Sequence, residues 1–243
     1  MNKIIIVLIV GIIVFGITYG VMTSYMKKKV DNRNNPTIIK GVHDAVKPLH
    51  FPQDSKEGNA IPILRSKNED EGMEFTYSYW FSINDMKYKS GEWKHMFHKG
   101  NNTSFPNRAP GVWIHPKENS LRVYMNVYEK VMDYVDIKNI PINKWVHMGI
   151  ILRDRFLDVY INGELIKRHS LEGIAKQNFN DLYICNFGGF SGYIAKFKYY
   201  NSALEPSQIR KLSKSKPDLS DLEKKDIEGP PYLSYRWDNT QEN

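Results

Sequence analysis

WVHMGIILRDRFLDVYINGELIKRH, residues 145 to 169, contains two alternating apolar rows and a turn. Val146, Met148, Ile150 and Leu152 fall on one side of an extended chain, the polar run Arg153-Asp154-Arg155 reverses direction, and Leu157, Val159 and Ile161 form the next inward row. A period of two marks a half-buried strand, because successive side chains point to opposite faces. Asn162-Gly163 then supplies the positive φ angles that a two-residue hairpin turn demands. The stretch predicts an antiparallel meander, and a meander needs a sheet around it.

The flanks supply that sheet. In GMEFTYSYWFSI (72–83), Phe75, Tyr77, Tyr79 and Phe81 alternate with Thr76, Ser78, Trp80 and Ser82, so one face is uniformly large and the other polar except for Trp80. GEWKHMFHKG (91–100), GVWIHP (111–116) and NSLRVYMNVYE (119–129) follow, divided by Gly, Pro and Asn. Leu121, Val123, Met125 and Val127 share a face, and VMDYVDI (131–137) pairs back on them through a turn near Glu129-Lys130. LYICNF (182–187), the corner GGFSG and GYIAKFKYYN (192–201) add strands. Aromatic residues make up 13% of the chain, which suits packed sheets better than helices. Many short strands with turns between them predict an all-β sandwich of two antiparallel sheets. ALEPSQIRKLSK (203–214) reads as a short helix with Pro206 in its first turn.

Ahead of the sandwich, Ile4 to about Thr23 is an uncharged apolar run of roughly the 20 residues that match a bilayer's hydrocarbon thickness. It is longer than the core of a signal peptide, and Thr18-Tyr19-Gly20 imitates a cleavage site poorly. The expected organisation is a transmembrane anchor at 1–26, a charged tether at 27–36, a sandwich at 37–213 with an irregular arm to about 72, and a tail at 214–243. The tail carries Tyr232, Leu233, Tyr235 and Trp237, a cluster that either packs back on the sandwich or docks onto a partner.

The 243 residues leave room for one domain of up to about 200 beyond the anchor. The net charge is +7, of which Lys3, Lys27, Lys28, Lys29 and Arg33, offset by Asp31, supply +4 around the apolar segment. The remaining +3 is too little, and too dispersed, for a nucleic-acid binder. Cationic residues after the apolar run place the domain on the cytoplasmic side. The overlapping glycosylation acceptors in Asn101-Asn102-Thr103-Ser104 point the other way. One cysteine, Cys185, excludes an internal disulfide and favours a reducing compartment.

FTYSYWF (75–81), NKWVHMGIILRDRFLDVYINGEL (143–165) and DLYICNFGGFSGYIAKFKYYNSALEPSQIRKL (181–212) together resemble the laminin-G-like members of the concanavalin A-like lectin/glucanase superfamily. The resemblance covers about residues 60 to 213 and implies a jelly-roll sandwich. Anchored versions with the phrasing IPINKWVHMGIIL (140–152) look similar to proteins of large DNA viruses, which implies a virion membrane or capsid setting. Some relatives bind calcium through loop Asp side chains and carbonyls, but those ligands do not map onto this chain, so no cofactor is expected.

Glucanases of that superfamily carry E-x-D-x-x-E on a strand, which aims paired carboxylates into one cleft. The nearest match, Glu69-Asp70-Glu71-Gly72-Met73-Glu74, has Glu where Asp belongs and lies in a charged turn, so no catalytic residue and no enzyme activity are expected. No G-x-S-x-G element occurs, and His95, His98 and His115 would have to be brought together by folding. No metal site is expected. A sugar site needs an aromatic platform and amides or carboxylates on loops. Candidates are Asn101, Asn102, Phe105, Asn107 and Arg108 in one loop and Asn186, Phe187 and Phe190 in another; as turn residues, with Phe190 in the core, they would need no ligand. Tyr232, Tyr235 and Trp237 are candidates for contact with a partner.

These readings converge on a membrane-anchored, non-enzymatic binding or scaffold module that contacts capsid or membrane-associated proteins. A glycan-binding lectin module is the alternative, and a glycoside hydrolase comes third.

Overall fold

The computed structural model of the chain describes residues 3–66, 68–69 and 72–220. It opens with α1 (Lys3–Asn34), whose 32 residues span about 48 Å at 1.5 Å per residue. Among the described residues one helix, Leu8–Asn34 by hydropathy, is long and apolar enough to cross a membrane. The charged stretch after residue 26 continues the same helix as far as Asn34. Asn35 caps it, donating its N–H to the Asp31 carbonyl (2.8 Å) and its side-chain amide to the Asp31 carboxylate (2.7 Å).

Two antiparallel sheets form the domain. The first runs β1 (Thr37–Asp44), β13 (Ser191–Tyr200), β4 (Gly72–Asp85), β9 (Val146–Arg153), β10 (Phe156–Ile161), β11 (Glu164–Ser170), with β3 (Asn68–Glu69) hairpinned onto β4. The second runs β2 (Leu49–Phe51), β12 (Leu182–Ile184), β5 (Lys94–Gly100), β6 (Arg108–Ile114), β7 (Ser120–Met125), β8 (Asp133–Lys138). The meander predicted at 145–169 is β9-β10-β11, turning at Asn162 (φ 52°) and Gly163 (φ 88°). Its inward rows from Val146 to Leu152 and from Leu157 to Ile161 are buried. β7 pairs with β8 through a turn at 126–132, as the 119–137 pattern implies.

Within the stretch expected to be an irregular arm, β1 and β2 are strands that extend the two sheets. β1 escapes a period-two reading because its register against β13 shifts twice, between Thr37 and Ile39 and again before Val42. Each bulge adds a residue and breaks the alternation.

The core lies between the sheets around a knot of rings. Tyr77, Tyr79, Phe97 and Phe197 have centroids 4.8–6.1 Å apart, mostly edge-on or tilted, the arrangement that aromatic quadrupoles favour. Cys185 is fully buried in the same core, and burial pushes its thiol pKa up, which makes it a small apolar filler.

The polar face of β4 is buried too. Thr76 donates to the Ser202 carbonyl (2.9 Å) and accepts from the Leu204 N–H (2.9 Å), pinning residues 201–204 across the sheet. α2 (Pro206–Lys214) follows and sets Ile209 against Ile151 and Tyr160. The Glu205–Gln208 capping box starts this helix, and Pro206 costs no hydrogen bond in its first turn.

At Gly192 (φ 149°) a Cβ would lie 1.9 Å from the Ser82 carbonyl oxygen, where β13 passes β4. Gly192→Ala is expected to cost about 2 kcal/mol or more from backbone strain and forced separation of the strands. Thermal unfolding checks it; an unchanged midpoint would mean the strands can part freely here.

Candidate functional site

The outer face of the second sheet carries one ring from each strand, in spatial order His50, Tyr183, His98, Trp113, Tyr124 and Tyr134. His50 stacks on Tyr183 at 4.6 Å, Tyr183 on His98 at 5.0 Å and His98 on Trp113 at 5.8 Å; Trp113 meets Tyr124 edge-on at 5.4 Å. Two guanidinium groups lie over this strip. Arg108 sits 4.2 Å from the Tyr124 centroid and 4.9 Å from that of Trp113. Arg122 sits 3.8 Å over Tyr134 while bonded bidentately to Asp136 at 2.7 and 2.8 Å.

On this same face, His98 of the strip and its neighbour His95 join the two loops singled out in the sequence. The Asn186 N–H can only donate, so His95 Nδ1 accepts (2.9 Å) and the ring proton resides on Nε2. That proton is donated to His98 Nδ1 (2.7 Å), and His98 Nε2–H donates to the Asn101 carbonyl (2.9 Å). Both rings are therefore neutral, with fixed tautomers. Burial is the main cause that lowers both pKa values, His95 well below its ordinary value and His98 to about 4; the Arg108 charge lowers them further. His115 stays apart, edge-on to Trp93 and accepting the Glu118 N–H (2.9 Å). Among the described residues no three His, Cys, Asp or Glu side chains gather to hold a metal ion.

The 100–108 loop is built around its own amides. Asn101 donates to Thr103 Oγ1 (3.1 Å) and to the Phe105 carbonyl, so its side chain holds the loop. Asn126 fastens the far side, accepting from the Arg108 N–H (2.5 Å) and donating to the Pro106 carbonyl (2.9 Å) and to that of Val131. Asn102, Phe105 and Asn107 face solvent. Phe190 is fully buried and packs in the core below the glycine corner, which removes it from the ligand candidates; its neighbour Phe187 is the exposed ring there, stacked beside His98 at 6.2 Å. Asn186 is half-buried and contributes its N–H to the imidazole chain. Tyr232, Tyr235 and Trp237 lie outside the described residues, as does Glu71.

A second loop, 176–180, meets the first and completes the site; sequence reasoning passed over it. The Lys99 ammonium enters this loop and donates to the carbonyls of Asn178 (3.0 Å) and Asn180 (2.7 Å) and to the Asn178 side-chain oxygen (3.3 Å). Burial lowers its pKa to about 8. Asn178 returns two bonds, to the carbonyls of Lys99 (3.0 Å) and Ala109 (3.2 Å). So fixed, the loops enclose a depression of about 360 Å³ lined by Asn107, Asn126, Lys176, Gln177, Asn178, Phe179 and Asn180. Asn126 and Asn178 are spent on the scaffold, leaving Asn107, Gln177 and Asn180 as unspent amides beside Phe179, which is 74% exposed. The signal in the sequence was the amide-rich run KQNFN ahead of β12.

Glu74, the last carboxylate of the acidic run, is engaged structurally: Arg153 approaches it at 3.5 Å and it accepts the Ala203 N–H at 3.0 Å. It stands at the 201–204 crossing of the first sheet and is not among the residues that line the depression.

A family model described as the concanavalin A-like lectin/glucanases superfamily, of laminin G type, matches residues 56–210. No curated protein matches the sequence. Similar solved structures include the receptor binding domain of botulinum neurotoxin C/D mosaic serotype, with 14% identity, a TM-score of 0.49 and coverage of 58% of this chain and 36% of that one. Another is the binding domain of botulinum neurotoxin DC in complex with rat synaptotagmin II, with 18% identity, a TM-score of 0.48 and coverage of 58% and 35%. The chain thus spans about a third of the length of these structures.

Proposed function

Because the chain belongs to the concanavalin A-like lectin/glucanases superfamily, we propose that it is a membrane-anchored, non-enzymatic recognition module whose loop-end depression takes a glycan. The observation that carries this reading is the set of unspent amides, Asn107, Gln177 and Asn180, around the exposed ring of Phe179 in a depression of about 360 Å³. Sugar hydroxyls need donors and acceptors on one group, which an amide provides, and the C–H face of the ring needs an aromatic surface. The lining supplies no carboxylate, whereas glycoside hydrolysis uses a pair, which favours binding over cleavage.

Glycan-array screening of the full chain is expected to give a defined set of sugars. Phe179→Ala should weaken binding about tenfold, and Asn107→Ala or Asn180→Ala by a similar factor, without a change in unfolding midpoint. No sugar bound on the array, or binding indifferent to all three substitutions, would refute the assignment. Glycan hydrolysis abolished by Glu71→Gln or Glu74→Gln would make the chain an enzyme.

A second reading, a scaffold that ties a membrane to neighbouring proteins, such as capsid components of a large DNA virus, is favoured by a different surface. The edge strand β11 exposes Leu165 (44%) and Ile166 (51%), and Phe156 (44%) is exposed on β10 opposite Ser170 at the other end of the same hairpin. An unpaired edge with apolar side chains is a template for a partner strand. Orientation separates the two readings. The cationic flank after the apolar segment favours a cytoplasmic domain and a protein partner, whereas glycan recognition calls for a lumenal one. Protease protection in sealed microsomes measures this directly, and cross-linking in the native membrane identifies the neighbour.

A further inference from the structure

On the outer face of the first sheet, α2 covers the β9 and β10 side and leaves a groove of about 230 Å³ toward β1. Trp80 and His147 form its floor and Tyr200 and Leu212 its walls. Lys40, Lys196 and Lys198 line its rim. Among the described residues none of the three makes an ion pair: Lys196 donates to Ser215 Oγ (3.0 Å), and Lys198 lies 4.8 Å over the Tyr200 ring. Three cations beside an apolar floor create a positive field that calls for an acidic and aromatic occupant.

The chain itself arrives at this groove. Ser215 is part of its wall, and Pro217, two residues on, is buried. Beyond Ser220 come 23 residues, Asp221 to Asn243, with six carboxylates against three cations, a net charge of −3. The carboxylates come first, at Asp221, Glu223, Asp226 and Glu228, and the rings Tyr232, Tyr235 and Trp237 follow. Glu228 lies eight residues beyond Ser220, a reach of at most about 29 Å, enough to cross a sheet whose strands lie about 5 Å apart.

We propose that the groove between α2 and β1 is the docking site of this chain's own C-terminal segment, residues 221–237, with its carboxylates on Lys40, Lys196 and Lys198 and its aromatic residues against the apolar floor. A polyelectrolyte match of this kind is screened by salt and reinforced by burial of the rings.

Zero-length carbodiimide coupling of the full chain in nanodiscs, using a 1:1 mixture of unlabelled and ¹⁵N-labelled protein, tests this proposal. Isopeptide links from Lys40, Lys196 or Lys198 to Asp226 or Glu228 are expected only in same-isotope pairs. The double variant Tyr235→Ala and Trp237→Ala, which keeps every coupling group, should lower their yield at least fivefold. The link between Lys130 and Glu172, an ion pair at 2.5 Å, reports that coupling has run. Mixed-isotope pairs would make the occupant a second copy and overturn the proposal. So would the absence of links at both carboxylates, or a yield that ignores the ring substitutions.

Discussion

A Phe97→Ala chain is expected to unfold with about 3–5 kcal/mol less free energy than the parent, a large part of the 5–15 kcal/mol that holds a typical domain together. Phe97 comes from β5 in the second sheet, yet it meets Tyr77 and Tyr79 of β4 at 5.4 Å and Phe197 of β13 at 4.8 Å in the first. It is fully buried, so the substitution removes apolar area from both sheets and leaves a cavity where the four rings meet. Rings on two facing sheets cannot collapse into that space without moving backbone, which puts the cost at the upper end of the range. Urea unfolding followed by tryptophan fluorescence measures it. A loss below 1 kcal/mol would show that the sheets are not joined through this ring.

Acidification is expected to have an effect of similar size. His98 and His147 are held neutral by burial, with pKa values lowered to about 4, and His95 is lowered as well. In the unfolded chain each takes up a proton near pH 6.5. Between pH 6.5 and 4 the unfolded state therefore binds more protons, and stability, complete above 6.5, falls as the pH drops through this window. For His98 and His147 the displacement amounts to about 3 kcal/mol each. His147 has one outlet, a 2.9 Å bond to Ser78, and its other ring nitrogen is buried without a partner. Unfolding midpoints at pH 7 and pH 4.5 should differ accordingly, and His98→Gln should flatten part of the profile. A midpoint constant from pH 7 to 4.5 would contradict the neutral imidazole chain.

What the sequence disclosed and what it withheld follow from the range of the forces involved. The inward rows of β4, β7, β9 and β10 were legible because burial between two sheets imposes a period of two. β1 was not, since its bulges depend on β13, some 150 residues away. The same limit governed the site. His95 and His98 are three apart, which in a regular strand puts them on opposite faces; the register shift between His95 and Phe97 turns both to the outer face. The amides of the 100–108 loop were visible as residues, but not their division of labour: Asn101 braces the loop and Asn107 is left over. The 176–180 loop reaches its position because Lys99 pulls in two of its carbonyls, a contact between residues about 80 apart that no local pattern announces. Phe190 shows the converse, an aromatic residue in a glycine-rich corner that the fold buries fully in the core.

The unbroken course of α1 into the domain has a mechanical consequence. Residues 24–34 rise about 16 Å past the apolar run, and their end is bolted to the first sheet by Asn35, which accepts the Asn201 N–H at 3.1 Å, and by the Pro36 carbonyl, which accepts the Tyr199 N–H at 3.1 Å. With the apolar run in a bilayer, such a stem is a lever arm and not a leash. A load on the sandwich would tip the buried segment instead of slackening a linker, so capture of a distant object on one side would be felt as tilt inside the lipid.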